Sequence, residues 1–152
     1  MNRGSQRFQS AIKKLYLAFH EGRLFPQCCQ QCAVGNILDG NDSWKHLSDK
    51  HGSLELNYIG QVHQMLGRRF NGYTPLELLQ IEQRFLKACG YQVPLNYQNN
   101  NIIQPSTDTL FDGLSDVIAY LCELEGIDNI MEYQQLFIYK SMGDLEQLAF
   151  IC

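Results

Sequence analysis

The residues best suited to chemistry lie early in the chain, where three of the six cysteines fall within five positions. Residues three and four apart share one face of a helix, so a helix there would bring the three sulfurs together. Two histidines follow within the next twenty residues. Thiolates and imidazoles are ligands that zinc and iron take in proteins. The candidate metal ligands are therefore Cys28, Cys29, Cys32, His46 and His51.

Spacing alone leaves other uses of these cysteines open. The thiols can act in redox chemistry, because a thiolate near a helix N-terminus has a lowered pKa. They can also serve only as small apolar core residues, which is our interpretation of Cys89 and Cys122 on apolar stripes. His46 and His51 are five positions apart, so they do not share a helix face and would converge only from a loop.

Two further titratable residues lie on predicted apolar helix faces. Glu82 falls among Leu78, Leu79 and Phe85, and a buried carboxylate must be paired, bind a metal or take up a proton. His63 lies within an apolar stripe one helix earlier. A Glu82–His63 pair would satisfy both groups, as a structural hydrogen bond or as an acid–base site. These two are the candidates for a catalytic role, and whether the chain is an enzyme stays open.

Composition limits the class of protein. The chain has 152 residues, 45% hydrophobic residues and a net charge of −4, which is typical of one globular domain without general affinity for nucleic acid. No apolar run is long enough to span a membrane, and residues 1–6 do not start a signal peptide. We therefore expect a cytoplasmic protein with reduced thiols. Serine-hydrolase, zincin and ferritin-like motifs are missing from the sequence.

Hydrophobic periodicity predicts an all-α single domain over 1–152, an irregular bundle of about six helices. The clearest start is Thr74-Pro75-Leu76-Glu77, where Thr74 caps the helix and Glu77 bonds back to the cap. Asp108 and Asp128 are predicted caps of later helices. An irregular loop is predicted near 91–107 and a frayed tail over 141–152. Helical patterns cover 5–21, 26–40, 43–50, 59–70, 74–89, 108–126 and 128–140.

Three runs of sequence carry a resemblance: CCQQCAVGN at 28–36, DSWKHL at 42–47 and RFNGYTPLE at 69–77. Over most of its length the chain resembles a family of small bacterial proteins regarded as similar to the flavin-carrying subunit of the sodium-translocating NADH:quinone reductase. That subunit also carries a plant-type 2Fe–2S cluster, whose cysteine spacing differs from the Cys-Cys-x2-Cys run here. The resemblance therefore implies no cluster ligand and no catalytic residue in this chain.

Two functional hypotheses follow from these observations. The first is a helical protein whose cysteine segment forms a metal- or redox-linked site with nearby histidines, with zinc or iron as the ion. The second is a non-catalytic module that docks an unidentified protein partner on a helical face while its cysteines only pack. The second predicts an exposed apolar patch on the surface.

Overall fold

The computed structural model describes residues 6–26, 28, 30–93 and 106–127, and it confirms the all-α class. A 3-10 helix, η1, covers Ser43–Leu47. The described residues contain no strand, and a single bridge joins Phe70 to Tyr73 at the Asn71-Gly72 turn. The α-helices are α1 Gln6–His20, α2 Ala33–Ile37, α3 Tyr58–Met65, α4 Pro75–Ala88 and α5 Thr107–Glu125.

Helices α4 and α5 pack closely at the centre of the core. Gly113 of α5 lies against Cys89 and Phe85, and a Cβ at this position would collide with both side chains. Phe85, Leu114 and Val117 are fully buried. The glycine therefore allows the two helix axes to approach, and Cys89 is a core residue as predicted.

The start of α4 is the predicted capping box. The Thr74 hydroxyl accepts a hydrogen bond from the Glu77 amide, and the Glu77 carboxylate accepts one from the Thr74 amide at 2.9 Å. Arg7 of α1 connects this start to the end of α5, because its guanidinium donates to Glu77 and, at 2.6 Å, to Glu125. This half-buried network fixes three helices at one end of the bundle.

The second predicted helix is much shorter than expected. It begins at Ala33 instead of Pro26, and the Phe25 amide donates to the Gln31 carbonyl at 2.7 Å, which closes a turn before the helix. The side-chain amide of Asn36 explains the difference, because it donates to the carbonyls of Arg23, Gln31 and Cys32. A side chain that binds three backbone carbonyls favours a turn at this position in place of a helix.

Helix α3 has the opposite orientation to the one predicted. The periodicity predicts that Ile59, Val62 and Leu66 face the core, but they are 51%, 36% and 65% exposed. The buried residue of α3 is Gly60, whose backbone lies so close to the Leu47 carbonyl of η1 that a Cβ would collide with it. Close approach of backbone to backbone, which only glycine permits, has decided which face of α3 is inside.

Smaller predictions differ in detail. Ser106, and not Asp108, caps α5, since its hydroxyl accepts from the Thr109 amide at 3.1 Å. The helix predicted at 128–140, its cap Asp128, the tail at 141–152 and most of the loop at 91–107 lie outside the described residues. None of the helices described has the length and apolar character that crossing a membrane requires.

The contact between Gly60 and Leu47 predicts that a larger residue at position 60 lowers the stability of the protein. Helix propensity alone would make Gly60→Ala stabilising by about 1 kcal/mol. We expect the opposite, a loss of about 1–3 kcal/mol in the free energy of unfolding, because backbone atoms of η1 must move to admit a methyl group. Urea denaturation measures it, with the exposed Gln61→Ala on the same helix as control. A stability equal to or above that of the wild type would contradict this account of α3.

Candidate metal centre

A fully buried carboxylate lies at the centre of the candidate site. Glu82 of α4 has no exposed surface. One of its oxygens is 2.7 Å from Nε2 of His51, and the other accepts from the Val34 amide at 3.4 Å. The prediction that a carboxylate on this face needs a partner is confirmed, but the predicted partner, His63, is wrong. His63 lies instead edge-on against Phe70, with ring centroids 5.9 Å apart.

His51 reaches this carboxylate from the loop that follows η1. Its side chain is 5% exposed and lies edge-on to Trp44, with ring centroids 5.6 Å apart. Gly52 has a φ of +90° and a backbone close to Leu86, so a side chain at this position would be strained and crowded. The Gly52 carbonyl accepts from the Gln83 side chain at 3.1 Å, which ties the loop to α4 beside Glu82.

Cys32 completes the group from the start of α2. It is fully buried and caps the helix, with its sulfur accepting from the Gly35 amide at 3.3 Å. Burial raises the pKa of the Cys32 thiol well above its ordinary value, and the negative charge of Glu82 raises it further. Hydrogen bonding to His51 acts in the opposite direction. The thiol is therefore protonated at neutral pH in the absence of an ion.

The three side chains present one sulfur, one nitrogen and one oxygen to a common point. Their ligand atoms all lie within 4.8 Å of one another. Zinc binds sulfur at about 2.3 Å and nitrogen or oxygen at about 2.0–2.2 Å. Small shifts that draw the sulfur inward and open the 2.7 Å contact between His51 and Glu82 would place all three on one ion. A thiolate, a carboxylate and a neutral imidazole around a divalent cation have no net charge, which removes the main penalty for burying charge.

The structure brings together only part of the predicted ligand set. Among the described residues, the group that meets consists of Cys32, His51 and Glu82. Cys28 is half-buried on the preceding turn, where its carbonyl accepts from the Cys32 amide at 2.8 Å, and its thiol is not in the group. His46 is exposed on η1 and does not belong to the group. Cys29 lies outside the described residues.

The site is closed on the sides where the structure shows clefts. A cleft of about 390 Å³ lies beside α1 and α2 and includes Gln31 and Asn36. Another of about 700 Å³ lies beside the loop before α3 and includes Asp49 and Gln83. Neither is lined by Cys32, His51 or Glu82, although both contain their neighbours in sequence. The three side chains are therefore buried away from both of these clefts.

No protein-family model, curated protein or solved structure matches this chain. The functional argument therefore depends on the geometry of its own residues.

The raised pKa of Cys32 predicts that its thiol reacts slowly with alkylating reagents at neutral pH. In metal-free folded protein, we expect iodoacetamide at neutral pH to label the half-buried Cys28 but not Cys32, because alkylation requires an accessible thiolate. Labelling of Cys32 should rise only in alkaline solution or after unfolding. Mass spectrometry of digested protein measures both sites in one sample. Fast labelling of Cys32 at about pH 6 would instead support a redox-active thiol.

Proposed function

We propose that Cys32, His51 and Glu82 of this protein bind a divalent metal ion, and that zinc is the preferred ion. The observation that supports the proposal is the convergence, in the core, of three ligand types from three separate parts of the chain. Each comes from a different local structure: a helix cap, a loop and the middle of a helix. The need to pair buried polar groups accounts for the hydrogen bond between His51 and Glu82. It does not account for the Cys32 sulfur that lies at the same point.

The donor types favour zinc, with iron as the alternative ion. One thiolate, one imidazole and one carboxylate form a mixed set that suits borderline ions, whereas magnesium and calcium take oxygen ligands only. Three protein ligands leave a fourth position on a tetrahedral ion. Water can fill this position, and Cys28 and Cys29, predicted as ligands from the sequence, are the candidate protein ligands for it.

Burial of the group supports a role for the ion in holding the fold together. Cys32 and Glu82 have no exposed surface. The ion would connect the turn before α2, the loop after η1 and helix α4, and its bonds to His51 and Glu82 would replace the hydrogen bond that now joins these two side chains. An ion that binds only the folded chain stabilises it in proportion to the logarithm of its concentration over the dissociation constant.

The direct test is metal content with matched histidine variants. We expect untagged protein to bind one equivalent of zinc, and the midpoint of thermal unfolding to rise by several degrees on binding. His51→Gln should weaken zinc binding by at least about a hundred-fold, whereas His46→Gln, in the same segment but exposed, should leave it unchanged. Elemental analysis and competition with a chromophoric chelator measure stoichiometry and affinity.

The cysteine variants make the same test residue by residue. Cys32→Ser should lose zinc, and Cys28→Ser and Cys29→Ser report whether either thiol supplies the fourth ligand. Circular dichroism of each variant shows whether the helices have formed. If folded wild-type protein binds no zinc, iron or copper, or if His51→Gln binds zinc as well as His46→Gln does, the metal centre is wrong.

Proton release gives the proposed site a pH dependence of known sign. Zinc binds the Cys32 thiolate, and because the pKa of this thiol is raised, its proton must leave on binding at neutral pH. The zinc affinity should therefore fall as pH falls, by about tenfold per pH unit for each proton released. Chelator competition between about pH 6 and pH 8 measures this slope. An affinity independent of pH would show that Cys32 is not a ligand.

A further inference from the structure

Five of the seven large hydrophobic side chains that are exposed in the described part of the chain form one stripe along α3 and its C-cap. Met65 and Tyr58 are 85% and 80% exposed, values that are unusual for large hydrophobic side chains. At 100° per residue, the stripe is about 120° wide, the width of a face that normally packs against another element. Its members are Tyr58, Ile59, Val62, Met65 and Leu66.

This stripe is held outward by contacts on the other side of the helix. Gly60, opposite the stripe, is fixed against Leu47 of η1. Asn57 caps the helix through the Gly60 amide at 2.8 Å, and the Gln64 side chain accepts from the Leu76 amide of α4 at 3.0 Å. Helix α3 therefore cannot roll its apolar face inward without losing contacts along its whole length.

The stripe is symmetric about its middle residue, Val62. Four positions before Val62 is Tyr58 and four positions after it is Leu66, while Ile59 and Met65 are three positions away on either side. Two copies of α3 crossing antiparallel at Val62 would therefore place large apolar side chains opposite one another. A twofold interface requires such a self-complementary patch.

The charges at the two ends of α3 favour the same arrangement. Exposed Glu55 precedes the helix, and exposed Arg68 and Arg69 follow it. In an antiparallel pair, Glu55 would lie near the partner's Arg68 and Arg69 at both ends. A parallel pair would place like charges together, which opposes association.

From this geometry we infer that α3 is a dimer interface, occupied by a second copy of the chain related by a twofold axis near Val62. The inference goes beyond metal binding and does not depend on it, because none of the α3 residues belongs to the metal group. It also gives the docking hypothesis from the sequence a defined surface and a defined partner.

A central carboxylate tests the interface. Val62→Glu would place two like charges opposite each other at the twofold axis. It should raise the dissociation constant of the dimer by at least about thirty-fold. Gln61→Glu adds the same charge at the edge of the stripe and should have a much smaller effect. Sedimentation velocity over a wide range of protein concentration measures both, and thermal unfolding confirms that each variant is folded.

Charge reversal tests the antiparallel direction. Glu55→Arg and Arg68→Glu should each weaken the dimer, and the double variant should restore it, because the pair is exchanged across the interface. A wild-type protein that stays monomeric at the highest concentration would overturn the inference. Failure of the double variant to recover would also overturn it. A monomer that Val62→Glu destabilises would overturn it as well, because the stripe would then be covered within one chain.

Discussion

Burial of the Glu82 carboxylate is the constraint on which the surrounding structure depends. A charge with no exposed surface is tolerated in a core only when hydrogen bonds and opposite charge compensate its lost hydration. The His51 ring and the Val34 amide supply this compensation, and they come from two segments distant in sequence. The loop after η1 and the start of α2 are therefore positioned by one side chain of α4.

Other polar side chains fix the irregular parts of the chain in the same way. The Asn36 amide holds the turn before α2 by binding three carbonyls, and Arg7 holds the ends of α4 and α5 by binding two carboxylates and the Gly72 carbonyl. Each of these side chains satisfies backbone or charged groups that a regular helix would leave unpaired at its ends. The helices supply the core, and these polar contacts determine how the segments between them run.

A structural feature could be predicted from the sequence when contacts within one helical turn decide it, and could not when a contact between distant segments decides it. The capping box at Thr74 and the all-α class follow from local sequence, because neighbours within one helical turn decide them. The orientation of α3 does not, because its amphipathic pattern is the same whichever face is buried. The close contact of Gly60 with the Leu47 carbonyl, which belongs to another element, decides it.

The candidate site shows the same division. The position of Glu82 on an apolar face indicates that a partner is needed, but periodicity cannot identify a partner in a loop, where no regular spacing exists. Residue type and nearness to the cysteines predict His51 as a metal ligand, and the apolar helix face predicts Glu82 as an acid–base candidate. Only the three-dimensional arrangement places them together with Cys32.

The complete burial of Cys32 and Glu82 has a kinetic consequence for any ion held between them. Such an ion would be covered by protein at these two ligands, so we expect transient detachment of the turn before α2 or of the loop carrying His51 from α4 to speed its release. Its residence time is then set by the free energy of this local opening as well as by the strength of the ligand bonds. Occupancy would accordingly reflect the ions available while the chain was folding, and it would respond slowly to later changes in their supply.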